Sequence, residues 1–163
     1  MKRIYLDVSC LNRPFDDQRQ ERVRLEAEAI RMIFERVDAS LLEHVSSQMA
    51  EIEVRAIRDR VRRRRVWRLL PVKDRRSRLS DALYNRAGEL MKLGIKAADA
   101  LHVAAAEEHA ADAFFDVRCA FVESGATQRR KAARAGGQSA GLGSRERSCI
   151  RRRTRFVARG LMR

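Results

Sequence analysis

From Ala97 to Ala106 the chain reads AADALHVAAA, apolar on nearly every side. A helix of that kind needs cover all round, so it predicts a central element in a layered domain. Two polar residues interrupt it. Asp99 falls in the first turn, where the helix dipole favours an anion, so a plain N-terminal carboxylate is one reading. His102 follows three residues later and His109 seven after that. With no third ligand at suitable spacing, both read as structural or surface histidines.

The start of the chain supplies a second acid in an apolar setting. Ile4, Tyr5 and Leu6 predict a buried strand, and Asp7 ends it. A turn aspartate is the ordinary reading, but open α/β sheets bind ligands at the carboxyl ends of their strands. Arg13-Pro14 then breaks the extended run, and Asp16 or Asp17 offers an N-cap for a helix from about Gln18 to Val37. Val23, Ala27, Ile30, Phe34 and Val37 draw its apolar stripe.

Leu41 to Val45 predicts a second strand, and Ser46 or Ser47 caps a second helix that reaches into the arginine run. On that helix Met49, Ile52, Ala56 and Ile57 make the expected buried stripe, with Glu53 inside it and Glu51 facing Arg55 at i+4. A carboxylate on an apolar stripe is costly unless it is paired or binds a cation; otherwise it sits at the rim and reaches water. Farther on, Ser77 to Leu79 reads as extended, Ser80 or Asp81 caps a helix with a Leu83, Ala87, Leu90 stripe, and Gly94 suits the left-handed position that closes it. Ala113, Phe114 and Phe115 begin another strand, which should carry its own acid at its end.

The formal charge of +14 points to a polyanion, yet it is unevenly spread. Residues 1–116 hold 23 Lys+Arg against 20 Asp+Glu, a net +3, whereas residues 117–163 hold 13 against 2, a net +11. Within the first part, Arg60 to Arg68 is densely basic and includes Trp67. Such a run is either a solvated helix face or a phosphate-contacting edge with an indole for base stacking. Cys10, Cys119 and Cys149 are odd in number and far apart, which speaks against a disulfide framework or a zinc site. No apolar run approaches the roughly 20 residues of a membrane span, so a cytosolic protein is expected.

Taken together, LDVSCLNRPFDDQ, SSQMAEIE and GIKAADALHVAAAEEHAADAFF resemble the PIN domain family, in particular the VapC-like toxin ribonucleases. The resemblance covers residues 1–116 and implies an α/β/α sandwich around a central parallel sheet. It implies Asp7, Glu53 and Asp99 as acids that hold Mg²⁺ or Mn²⁺ for RNA phosphodiester hydrolysis. Ser9 stands where the family often has a small polar group near the metal, and Asn12 and Arg13 match an N-R-P-F form, as substrate-side or supporting residues. RNA as substrate, a small antitoxin protein as partner, and a homodimer complete the expectation. Carboxylates suit a hard divalent ion, which can orient a phosphate and generate hydroxide.

After Phe115 the chain departs from that pattern. Family members continue with a fourth acid, a helix and a last strand; here Arg118 stands near the expected acid, and residues 117–163 read as a disordered basic tail. The expectation is therefore a sandwich lacking its C-terminal strand and its fourth acid. One permissible codon choice for Asp116 to Gln128, read one base later, yields an acid followed by a helical pattern, so a frame shift near Phe115 is compatible with the sequence. A second functional expectation stands beside the nuclease: an impaired PIN-like protein that binds RNA or an antitoxin without cutting.

Overall fold

A computed structural model describes residues 1–117. The elements in order are β1 (Lys2–Leu6), α1 (Val8–Asn12), a 3₁₀ turn (Arg13–Phe15), α2 (Glu21–Asp38), β2 (Leu42–Ser47), α3 (Gln48–Arg55) and α4 (Arg60–Trp67). A second 3₁₀ turn (Lys73–Arg75), β3 (Arg76–Ser77), α5 (Asp81–Lys92), α6 (Ala97–Glu108) and β4 (Ala113–Phe115) follow. The four strands form one sheet in the order β3-β2-β1-β4, every pair parallel.

Strand alternation divides the core into two layers. Ile4 and Leu6 of β1 point to one face, against Val8 and Leu11 of α1, Ile30 of α2, Ala50 and Val54 of α3 and Val66 of α4. Tyr5 points to the other face with Val45 of β2, against Leu83, Ala87 and Leu90 of α5 and the alanines of α6. The result is the expected three-layer α/β/α sandwich. Ala100, Ala105 and Ala106 are fully buried, and their small side chains let α6 approach the sheet closely.

Several local expectations hold for identifiable reasons. Ser80 Oγ accepts from Leu83 N at 3.2 Å, and Gly94, at φ 87°, closes α5 with its N–H on Met91 O. Ser47 Oγ caps α3 by accepting from Ala50 N.

Others do not hold. Asp7, whose ordinary reading is a turn aspartate, is followed directly by a helix, Val8–Asn12. The cap of α2 is Gln20 rather than Asp16 or Asp17, because Asp16 is engaged by Arg13 and Arg62 and Asp17 by the Arg19 N–H. The helix carrying Glu53 stops at Arg55, and α4 begins separately, capped by Asp59 Oδ1 on the N–H groups of Val61 and Arg62. The buried residues of α3 are Ala50 and Val54, while Ile52 is 45% exposed.

Val117, assigned by composition to the tail, is buried in the first core layer. The expectations for a disordered tail, a missing final strand and a shifted frame concern residues 118–163, outside the described residues. Among the described residues no helix is long and apolar enough to cross a membrane.

His44 of β2 illustrates how burial couples this fold to pH. It lies edge-on to Phe34, 2% exposed, and its Nε2 has no hydrogen-bond partner. Burial, reinforced by the Arg76 charge, pulls its pKa down to about 4. The unfolded chain therefore takes up a proton near pH 6.5, whereas the folded one resists until about pH 4. Stability from this residue is fully present above pH 6.5 and is lost as pH falls toward 4, by about 3 kcal/mol in all. Urea midpoints of wild type and His44→Leu should therefore converge in their pH dependence only above pH 6.5, with wild type falling more steeply below it. Parallel curves throughout would assign the acid sensitivity to other groups.

Candidate metal centre

The chain leaves β1 outward to β2 and β3, then returns to place β4 on the other side of β1. The strand order thus reverses beside β1, and in open parallel sheets the crevice at such a point, at the carboxyl ends of the strands, is where ligands bind. The register Leu6↔Phe115 brings the next residues, Asp7 and Asp116, to that end together, with Asp7 N donating to Phe115 O at 3.0 Å.

Both carboxylates are buried, Asp7 at 4% exposed and Asp116 at 7%. Ser9, at the start of α1, joins them: its Oγ donates to Asp7 Oδ2 at 2.6 Å and lies 3.2 Å from Asp116 Oδ1. Cys10 lies next to this pair. Burial, then the charges of Asp7 and Asp116, pushes its thiol up to about 12, so it stays a protonated core residue.

From the opposite side α6 contributes His102. Its Nε2 lies 3.4 Å from Asp7 Oδ1 and 3.2 Å from Glu53 Oε2, the latter projecting from α3. Neither contact has the alignment of a hydrogen bond, so this buried nitrogen faces two carboxylates without satisfying either directionally. Burial lowers its affinity for a proton, but the Glu53 contact and the charges of Asp7, Glu53 and Asp99 outweigh burial, and its pKa is raised. The ligand atoms of Asp7, Glu53 and His102 all lie within 4.8 Å of one another.

The other face of the imidazole is held by the core. Tyr5 Oη lies 2.8 Å from His102 Nδ1 and 2.7 Å from Ser47 Oγ. Burial raises the Tyr5 pKa far above its ordinary value, so the hydroxyl keeps its proton and has one to give. If it donates to Ser47, it accepts from Nδ1–H, and Nε2 then either carries the second proton that the raised pKa favours or, in the neutral ring, turns a lone pair to the carboxylates. An electron pair aimed at two anions calls for a cation between them. If it donates instead to Nδ1, Nε2–H faces the acids and its proton takes the place of a metal ion between them, without an aligned hydrogen bond to either.

The expected site residues fall into three groups. Asp7 and Glu53 are brought together. Asp99 is half-buried one turn before His102 on α6, on the same face, and its charge reaches the imidazole, but it stands outside the 4.8 Å group. Ser9 orients Asp7, while Asn12 and Arg13 serve the scaffold: Asn12 Nδ2 donates to Val8 O and its Oδ1 accepts from Arg62, and Arg13 pairs with Asp16 and Glu26.

Two residues were missed by reading along the chain. His102 reads as structural along the chain because no ligand follows it at helical spacing; its partners come from β1 and α3. The signal was a polar residue on a helix apolar all round. The sequence reading places the fourth acid near Arg118, where none stands. Asp116 directly follows β4, as Asp7 directly follows β1, so the acid expected at the end of the last strand stands two residues before Arg118. His109 has the structural place expected of it, with Nε2 3.1 Å from Ser46 O.

Comparison with protein-family models, with curated proteins and with solved structures found no match to this chain. What the fold and the site define together is an α/β protein with a parallel sheet and a buried Asp/Glu/His cluster whose geometry could hold a metal ion.

Proposed function

We propose that this chain is a PIN-type, metal-dependent endoribonuclease of the VapC toxin kind. The observation that carries the reading is the cluster of Asp7, Glu53 and His102 at the carboxyl end of a parallel sheet, next to its point of reversal. Three motif stretches in the sequence support it, as does the second buried carboxylate, Asp116, linked to Asp7 through Ser9.

The donor set fits a divalent cation: the carboxylates of buried Asp7 and half-buried Glu53 and the Nε2 of His102 converge within 4.8 Å, and that nitrogen has no aligned hydrogen bond. Asp7 and Glu53 would hold Mg²⁺ or Mn²⁺, and participation of His102 Nε2 favours Mn²⁺, since nitrogen donors suit it better than Mg²⁺. Such an ion orients a phosphate and makes bound water a nucleophile near neutral pH.

The chain's own residues prepare the place. Ser9 fixes the Asp7 carboxylate, Tyr5 fixes the imidazole ring, and half-buried Asp99 extends the negative field toward solvent, where a cation enters. On this reading the substrate is RNA, and a small antitoxin protein is the regulatory partner.

Metal-stripped full-length protein should leave a labelled single-stranded RNA intact in EDTA and cut it internally once Mn²⁺ is supplied. Cutting that is equally fast in EDTA would remove the metal from the mechanism. Metal-dependent binding with no cutting would favour the impaired, binding-only form.

A further inference from the structure

Arg55 of α3 and Arg60, Arg63, Arg64 and Trp67 of α4 line an open groove. Residues 60, 63 and 64 share one face of α4, so three guanidinium groups project from about one turn of helix. Like charges so placed repel unless an anion lies among them.

Several arginines elsewhere on this molecule have carboxylate partners, among them Arg13 and Arg22 with Glu26, Arg62 with Asp16, and Arg86 with Glu89 and Glu107, whereas Arg60 and Arg64 stand within one turn of Arg63. In the groove only Arg55 does, through Glu51 at 2.6 Å. Arg63 donates to Ile57 O and is anchored by it. Among the described residues Arg60 and Arg64 have no ion-pair partner, and the nearest acid in sequence, Asp59, is occupied in capping α4.

Trp67 does not offer a free base-stacking platform. The guanidinium of Arg55 lies 5.3 Å from its ring centroid and that of Arg76 lies 5.5 Å away, so the indole carries arginines. What the groove presents is donors for phosphate, with no built feature for reading a base.

Its place relative to the acids is also defined. Arg55 follows Glu53 by two residues on α3, about 200° around the helix, so the two side chains leave on opposite sides. The groove and the acidic cluster thus draw on different faces of α3.

We propose that this groove is an anchoring site for the phosphate backbone of single-stranded RNA, sequence-independent and separate from the acidic cluster. It rests on the reading that RNA is this protein's ligand, but not on cleavage. The groove holds successive phosphates through Arg60 and Arg64, with Arg63 fixed between them.

The test uses the full-length chain in EDTA, so that cleavage plays no part, with fluorescence anisotropy of a labelled oligouridylate and an oligoadenylate across a salt series. Arg60→Ala/Arg64→Ala is compared with Arg24→Ala/Arg36→Ala, which removes the same charge from exposed positions on α2. The groove variant should bind about tenfold or more weaker at 0.1 M salt, and its slope of log K against log salt should be shallower by about 1.4, two single-strand phosphate contacts. The α2 variant should stay within about threefold of wild type, and both homopolymers should respond alike.

Equal weakening by both variants would overturn the site in favour of overall charge, and no weakening by the groove variant would overturn it outright. Two competitors separate the sources of anion. Release of the RNA by inorganic phosphate at the same total phosphate would replace the strand by an isolated anion site, and release by polyglutamate at equal charge would assign the groove to an acidic protein segment. If EDTA-independent binding behaves as expected while Mn²⁺ restores no cutting, the groove stands and the nuclease reading falls.

Discussion

Asp7→Asn is expected to abolish metal-dependent RNA cleavage while leaving a folded protein. The substitution keeps the size of the side chain and an oxygen to accept from Ser9 Oγ, and the start of α1 does not depend on the carboxylate, which makes no side-chain cap. It removes the one charge that stands within reach of both His102 and the Ser9–Asp116 pair. Mutating outer partners of metal ligands typically costs about 10–100-fold, so on the proposed reading, in which Asp7 would hold the ion, its loss should cost more than about 100-fold in rate. Single-turnover cleavage of labelled RNA with saturating Mn²⁺ measures this, and circular dichroism checks the fold. Cleavage within a few-fold of wild type would reduce Asp7 to a structural residue.

Tyr5→Phe is expected to act on the same site from inside the core. The ring stays, with its stacking on Phe114 at 5.5 Å, and only the hydroxyl between Ser47 and His102 goes. Ser47 keeps the Ala50 N–H, whereas His102, 1% exposed, loses the hydrogen bond between its Nδ1 and Tyr5 Oη. Leaving such a group unsatisfied costs about 1–3 kcal/mol, a fall in melting temperature of several degrees. The imidazole is also released from its fixed orientation, so affinity for Mn²⁺ should fall by about 10–100-fold, with the cleavage rate at saturating ion less affected. Thermal unfolding with and without Mn²⁺ reads both effects, because a ligand stabilises in proportion to the logarithm of its concentration over Kd. Destabilisation with unchanged Mn²⁺ affinity would confine Tyr5 to the core.

Features settled by local chemistry were legible in the sequence. The β-branched and aromatic run ending in Asp7 forms a strand, and Ser80, the Leu83–Ala87–Leu90 stripe and Gly94 specify the whole of α5. Glu51 pairs with Arg55 as the i+4 spacing requires. The break between α3 and α4 was hidden because no glycine or proline marks it; the signal was Asp59, an N-cap embedded in a charge run. The site was legible only as far as its acids stand out individually. Asp7 and Glu53 are conspicuous where they lie, but His102 becomes part of the cluster only when parallel pairing brings α6 across from β1 and α3. Asp116 becomes a partner of Asp7 through the β1–β4 register and the Ser9 hydroxyl, relations between residues more than 100 positions apart.

The central claim, that Asp7 and Glu53 hold a divalent ion beside His102, is tested most directly by calorimetric titration of Mn²⁺ into the metal-stripped full-length chain, with Asp7→Asn and Glu53→Gln alongside. Wild type should bind Mn²⁺ saturably, and both variants should lose that binding. Binding of equal strength in all three proteins, or none in wild type, would contradict the claim.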